Sequence, residues 1–290
     1  MNRLMPRPIK YDFHIHSTFS DGSMPIEEIF ALAQIEGISH IAITDHDTFC
    51  GYSEIMEASQ NYQIIAIPGI EISAYHFETS KKVHLLAYGL TPESKYVEAL
   101  CLPLLERRTQ NTLRQIEAIQ NHGYEIEVDE VREKAGISTA LYKQHIMAVL
   151  VGKGYTRQVM SPLYDALFKG KGIAAGDIKY IDIFEALRAV KQDNGIAVLA
   201  HPAMSRCMEL LPELLDFGLD GLEVDHPKHT PEEKAVLGEL AKQYGLISTG
   251  GSDFHGTYGT SHFIGCKEGP NTAPFLNKFE SIAKNKVFFS

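Results

Sequence analysis

Asp12-Phe13-His14-Ile15-His16, followed by Ser20-Asp21-Gly22, is the stretch from which the rest of the chain can be read. In an extended strand, side chains two apart share a face. Asp12, His14 and His16 then point one way, while Phe13 and Ile15 pack on the other. Two imidazoles side by side at a strand end make a metal clamp, and Asp21 can return to the same point through the turn at Gly22. A single His-x-His would mean little by itself. The same layout recurs near the far end, in Gly250-Gly251-Ser252-Asp253-Phe254-His255-Gly256, and the recurrence makes a metal site the better reading.

With 290 residues, 44% of them apolar, the chain is long enough for one large domain or one domain with an insertion. No apolar run reaches the ~20 residues of a membrane span, and Met1 to Lys10 lacks the apolar core of a signal peptide. Cys50, Cys101, Cys207 and Cys266 are scattered and form no CxxC pair, so they read as reduced thiols of a cytoplasmic protein. The net charge of −10 argues against a surface built for long nucleic acid. One segment, Leu141 to Tyr180, is cationic against that background: Lys143, Lys153, Arg157, Lys169, Lys171 and Lys179 face only Asp165 and Asp177. Oligomeric state is not fixed by any of this.

Strand and helix signals alternate outward from the first stretch. Tyr11 to His16 reads as a strand, Pro25 to Glu36 as a helix stopped by Gly37, and His40 to Thr44 as a buried strand running into Asp45-His46-Asp47. A helix around Ser53 to Gln60 leads to β-rich Ile64 to Ser73, with Glu71 inside it, and then to strand Val83 to Gly89 with His84. From about Ser94 to Gly176 the signals are helical, with Pro103 as a kink. Alternation resumes with helix Phe184 to Gln192 and strand Ile196 to Ala200, which ends in His201-Pro202. A helix near Met208 to Phe217, strand Gly221 to Val224, a helix capped at Thr230 and strand Leu246 to Thr249 complete the series. Such repetition implies parallel pairing and right-handed crossovers, hence an α/β chain folded as a closed or nearly closed seven-stranded β/α barrel. Residues 8–92 and 180–290 would form the barrel, and 93–179 a helical insertion. His16, His46, Glu71, His201, Asp253 and His255 then fall at or just past the carboxyl ends of strands, the face on which such barrels carry chemistry.

Pooling these ends gives His14, His16, Asp21, His46, Glu71, His84, His201, Asp253 and His255. Imidazoles and carboxylates without thiolates suit divalent manganese, zinc or iron, and nine donors exceed one tetrahedral shell, so two or three ions are expected. The ordered motifs HxHxxxxDG, TDHD, PGIE, VHLLAYG, AHP and GGSDFHG, spanning Asp12 to Gly256, resemble those of the polymerase and histidinol phosphatase (PHP) family. The resemblance implies a distorted seven-stranded barrel with up to three metals. By position, His14, His16, Glu71 and Asp253 would hold the first ion, Glu71, His84 and His201 the second, and Asp21, His46 and His255 the third. The order of motifs is similar to that of stand-alone bacterial phosphoesterases, including nucleoside 3′,5′-bisphosphate phosphatases. Their insertion carries an Arg-x-His motif that meets phosphate. Here Tyr142-Lys143-Gln144-His145 stands in its place, with lysine for arginine, and Gly172 to Lys179 departs from the usual aromatic pattern.

The expected activity is hydrolysis of a phosphomonoester on a small metabolite, foremost a nucleotide, through a metal-bound hydroxide. Lys143, His145 and Arg206 are candidate phosphate grips, and His229 or His226 a candidate proton donor. Asp12, Asp45 and Asp47 are placed to orient ligand imidazoles or to serve turns. His40 and His122 read as structural, His76 and His262 as loop residues near the mouth, and Tyr258 and Phe263 as packing aromatics able to stack on a base. Competing readings are a histidinol-phosphate phosphatase, an exonuclease on short oligonucleotides, and a metal-binding regulatory module without turnover.

Overall fold

A computed structural model describes residues 9–266 and 270–284; Met1 to Pro8, part of the stretch read for a signal peptide, lies outside them. The chain begins β1 (Tyr11–Ile15), α1 (Ile26–Glu36), β2 (His40–Ile43), α2 (Tyr52–Tyr62), β3 (Ile65–Ala66), β4 (Gly69–His76), β5 (Lys81–Tyr88). Four consecutive helices follow: α3 (Lys95–Gln120), α4 (Val128–Ala135), α5 (Lys143–Gly152) and α6 (Pro162–Phe168). Then come β6 (Ile181–Asp182), α7 (Ile183–Gln192), β7 (Ile196–Leu199), α8 (Leu211–Asp216), β8 (Gly221–Asp225), α9 (Pro231–Tyr244), β9 (Ile247–Gly250) and α10 (Ala273–Ala283).

Local chemistry explains the boundaries. Pro25 caps α1 in extended geometry, and Gly37, at φ 70°, closes it by donating to the carbonyls of Ala33 and Gln34. Ile26, Ile29, Phe30 and Ala33 form its buried stripe. Thr230 Oγ1 accepts from the Glu233 amide while the Glu233 carboxylate accepts from the Thr230 amide, so α9 starts with a complete capping box. α3 runs unbroken from Lys95 to Gln120 with Pro103 inside it.

The strands bond into a three-stranded sheet, β1-β2-β3, and a six-stranded sheet, β6-β4-β5-β7-β8-β9. Two of the expected parallel pairings are antiparallel: β4 with β5, and β5 with β7. The reason is connection length. A parallel partner needs a crossover of a dozen or more residues, and the four residues 77–80 between β4 and β5 permit only a hairpin. Glu71 is accordingly not at the carboxyl end of its strand but third of the eight residues of β4.

Backbone bonds tie the two sheets at two seams. Asp47 donates to the Glu71 carbonyl, and Glu71 to that of Thr44 (3.0 and 3.1 Å), beside a bridge from His46 to Glu71. Pro68, with no N–H, separates β3 from β4 along what is otherwise one path across β2. On the other side, His16 donates to the Phe254 carbonyl and Asp253 to that of His14, each at 2.9 Å, beside a bridge from Ile15 to Phe254. That approach needs glycine at 251, because a Cβ there would lie 2.2 Å from the Cβ of His14. We expect Gly251→Ala to lower stability by about 3 kcal/mol. A wild-type midpoint in urea unfolding would contradict this close approach.

Ile70, Ile72, Leu85, Leu187 and Leu199 belong to one apolar cluster, and Ile15, Ile29, Phe30 and Ile43 to another. The helices α3 to α6 have their own, including Ile116, Ile119, Ile146, Leu150 and Phe168. α3 joins them to the sheets, because Val97, Cys101 and Leu104 from its first half enter the first cluster. No helix of the described residues is long and apolar enough to cross a membrane.

Candidate metal centre

Period-two geometry, carried one residue past the end of β1, brings His14 and His16 to one face, fully buried, with ring centroids 5.2 Å apart. Glu71, from β4, points its carboxylate into the middle of five imidazoles. Its Oε2 lies 3.4, 3.2 and 3.2 Å from nitrogens of His14, His16 and His46, and its Oε1 lies 2.9 and 3.1 Å from those of His84 and His201. Asp253 Oδ1 stands 3.6 and 3.5 Å from His14 and His16 Nε2. Asp21 Oδ1 stands 3.4 and 3.6 Å from His255 Nε2 and His16 Nδ1, and its Oδ2 is 3.9 Å from His46 Nε2. All nine side chains singled out in the sequence therefore converge. They form four overlapping groups whose ligand atoms lie within 4.8 Å of one another: His16-Asp21-His46-His255, His14-His16-Asp253, His14-Glu71-His201 and His46-Glu71-His84.

Electrostatics favours the ligand states. Burial pushes the Glu71 carboxyl up, but His84, His14 and His46 outweigh it and hold the group well below the usual carboxylate range. Asp253 is likewise held well down, against burial, by His255 and His16. Burial holds His46 well below the ordinary imidazole value, hence neutral, despite Glu71 and Asp21. For His16 the balance reverses: burial opposes the charge, but Asp253 and Glu71 lift it to about 10. A cation replacing that proton would release it.

Divalent metal fits this donor set. His14 Nε2 and both ring nitrogens of His16 are buried without a hydrogen-bond partner, and carboxylate oxygens of Glu71, Asp253 and Asp21 face them at 3.2 to 3.6 Å. Metal-replete protein should be about 3 kcal/mol more stable than chelated protein at ~100-fold excess over Kd. That is roughly 5–10 °C in Tm for a chain of this size. Identical melting with manganese and with chelator would contradict the fit.

One residue that sequence reasoning missed supports the centre from behind. Glu223, on β8 and fully buried, places Oε1 2.9 Å from His14 Nδ1, while Oε2 accepts the His201 amide at 2.7 Å. It fixes the His14 ring so that Nε2 faces Glu71 and Asp253. Its signal was a carboxylate flanked by Leu222 and Val224 inside a strand. Asp12, by contrast, orients no imidazole. It accepts backbone amides of Ser252, Gly265 and His14 and so clamps β1 to the loop after β9. Asp45 serves the Ser17-Ser20 turn, and Asp47 holds the Ser73 amide and Arg108. His201 and Asp253 adopt left-handed backbone, φ 29° and 51°, a region that few non-glycine residues enter and that aspartate and histidine tolerate better than most.

A pocket of about 180 Å³ opens from Asp21, His46 and His84 towards Lys82, Arg108, Lys143 and Asp177. Gln144 donates to Asp21 Oδ2 at 2.6 Å, and the Tyr142 hydroxyl to the His46 carbonyl at 3.3 Å, so α5 and its cap are fastened directly to the centre. Lys143 thus reaches the pocket. His145 does not line it: its Nδ1 accepts the Tyr142 amide at 3.2 Å, and burial holds the ring down to about 4. Arg206 is exposed, lies outside the pocket lining, and has φ 52°; its carbonyl accepts from Lys81 at 2.5 Å. His226 Nε2 lies 3.4 Å from Asp253 Oδ2, and His229 packs behind it, ring centroids 5.1 Å apart.

The other histidines fall away from this cluster. His40 pairs with Ser39, exposed His122 with the Ala118 carbonyl, and His76 with Thr79. His262 is exposed, as is Phe263, while Tyr258 packs near His145.

Comparison with known proteins agrees with this geometry. Residues 12–198 match the PHP domain, and the chain belongs to that family. It is a metal-dependent phosphoesterase, a hydrolase of phosphate esters. It is 42% identical over 254 residues (88% of this chain, 97% of the relative) to a phosphoribosyl 1,2-cyclic phosphate 1,2-diphosphodiesterase of Eggerthella lenta. Similarity extends to a 5′-3′ exoribonuclease of Haemophilus influenzae, at 28% over 85% of this chain and 90% of the relative. A 3′,5′-nucleoside bisphosphate phosphatase of Chromobacterium violaceum is 25% identical over 84% of this chain and 86% of the relative.

Proposed function

We propose that this phosphoesterase acts on a small phosphorylated ribose derivative, foremost a cyclic phosphodiester of a ribose phosphate. The observation that carries the reading is the confined cationic pocket opening directly from Asp21, His46 and His84. The relative sharing 42% identity favours the cyclic ester over the nucleoside 3′,5′-bisphosphate expected from the sequence, which becomes the second reading. Short-oligonucleotide cleavage, histidinol phosphate hydrolysis and a regulatory module without turnover are the remaining alternatives.

In this reading the nine side chains hold two or three ions of manganese, zinc or iron at the mouth of a distorted seven-stranded barrel. Residues 93–179 form a helical cap over it. The ions, when bound, stabilise charge on phosphoryl oxygens and lower the pKa of bound water to about 7. The protein supplies the rest. Glu71, Asp21 and Asp253 remain ionised to hold the centre together, and Glu223 orients His14. Lys143 holds the substrate's anionic side, while Tyr142 and Gln144 shut the inner wall. When water adds to phosphorus and one P–O bond breaks, the departing oxygen needs a proton. His226, beside Asp253, is the donor we favour, with His229 behind it. The four cysteines, all unpaired, fit a cytoplasmic setting.

The test is a panel on metal-replete protein, followed by phosphorus NMR: ribose 5-phosphate 1,2-cyclic phosphate, a nucleoside 3′,5′-bisphosphate, histidinol phosphate and a short single strand. Ring opening of the cyclic ester at the highest kcat/KM is expected. Faster release from the bisphosphate would install the second reading, and no turnover of any compound would favour a module that only binds metal.

A further inference from the structure

Resting on that reading, we infer that Lys82, Lys143 and Tyr180 form a separate subsite for a second phosphate on the substrate. Asp177 occupies it in the free protein as an internal stand-in. Lys82 and Lys143 come from distant parts of the chain, β5 and the start of α5, yet converge on one carboxylate. Lys82 ion-pairs with Asp177 Oδ2, and Lys143 Nζ lies 3.6 Å from the same oxygen. Each ammonium is backed by an aromatic ring, Lys82 by Tyr180 at 5.3 Å and Lys143 by Phe168 at 5.9 Å. Two positive charges therefore meet one negative charge, with Lys143 and Asp177 partly buried and Lys82 open to solvent at the pocket's edge. The third cation there, Arg108, is already matched by Asp47 at 2.7 Å and makes no claim on Asp177.

This excess of one positive charge suits a phosphomonoester, which carries about −1.5 to −2 at neutral pH and offers three acceptor oxygens. A carboxylate offers one charge and two oxygens. Asp177 is ionised: burial opposes it, but Lys143 and Lys82 bring it down to about 2. It sits in an irregular segment just after Ala174, Ala175 and Gly176, whose carbonyls are held by Gln115 and Arg114 from α3. The stem is anchored, and the acid itself is held by side chains alone, apart from the Ile178 amide.

Distance also fits. Lys82 and His84 are two apart on β5 and share a face, ~6.5 Å along the strand. One phosphoryl group at the metal centre and another at Lys82 would then be bridged by a single sugar. Asp177 thereby becomes a specificity residue, displaced by a second phosphate and by nothing weaker.

The test is calorimetric titration of metal-replete protein with a ribose 1,5-bisphosphonate, which cannot be hydrolysed, and with the matching 1-phosphonate. The wild type should bind the bisphosphonate about tenfold more tightly, as one charge-assisted contact supplies. Lys82→Met should erase the difference, and Asp177→Asn should widen it severalfold, with 1-phosphonate affinity unchanged in both. Equal affinity for both probes in the wild type would overturn the inference. So would an Asp177→Asn protein that binds the bisphosphonate no more tightly. Since neither probe is turned over, these results stand apart from the substrate panel: failure there removes the reaction and leaves the subsite.

Discussion

Replacing Glu71 by alanine should lower kcat by about 10³-fold or more and strip metal from the centre. Both its oxygens are engaged by five imidazoles, at 2.9 to 3.4 Å, and no other acid among the described residues touches so many. Without it, His84 and His201 lose the anion they share, His16 and His46 keep only more distant carboxylates, and His14 keeps Glu223 on Nδ1 but on Nε2 only Asp253, at 3.6 Å. Glu71→Gln separates shape from charge, since the amide fills the same space and carries no charge. Metal content by elemental analysis and turnover on the preferred ester should fall together in both variants, with far-ultraviolet circular dichroism unchanged. An alanine variant that keeps its metal and works within tenfold of the wild type would remove Glu71 from the centre.

Glu223→Ala should lower metal affinity by about 10- to 100-fold, although Glu223 would touch no ion. Two buried donors, His14 Nδ1–H and the His201 amide, lose their acceptor. An orphaned buried donor costs about 1–3 kcal/mol, so the urea midpoint should fall as well. Glu223→Gln keeps one acceptor oxygen and should recover part of both losses. Equilibrium dialysis against manganese measures the first effect, and unchanged affinity in Glu223→Ala would show that the His14 ring is held by packing alone.

What could be read from the sequence follows from the range of each signal. Residues two apart in extended chain share a face whatever surrounds them, so His14 on β1 and His16 just past its end were legible as a clamp. The same applies to acids and imidazoles that end strands, such as His46, His201 and Asp253. Direction was not legible, because short apolar runs look alike in a crossover and in a hairpin. Only the length of the 77–80 connection carried that information, and it reverses β5 against both neighbours.

Glu223 escaped for a different reason. Between Leu222 and Val224 an acid in a strand reads as the solvent side of a half-buried sheet, whereas here both faces are covered and the inner one is polar. Asp12 was placed on the correct strand, with a role among imidazoles set beside turn duty. The nearest donors turn out to be backbone amides brought in by residues 252 and 265, more than two hundred positions away. Lys82 and Asp177 are surface-like charges on unrelated segments, and nothing local says that they meet. His145 shows the opposite failure, since a motif position predicts an exposed phosphate grip and the fold spends the ring on the start of α5.

The central claim is that these nine side chains hold a cluster of divalent ions. Crystals grown with manganese, measured at its absorption edge, test it most directly. Two or three anomalous peaks spaced ~3.5–4 Å apart around Glu71 are predicted. A map with no peak among His14, His16, Glu71 and Asp253, or with manganese only at the outlying His76-Glu78-Glu213 group, would contradict it.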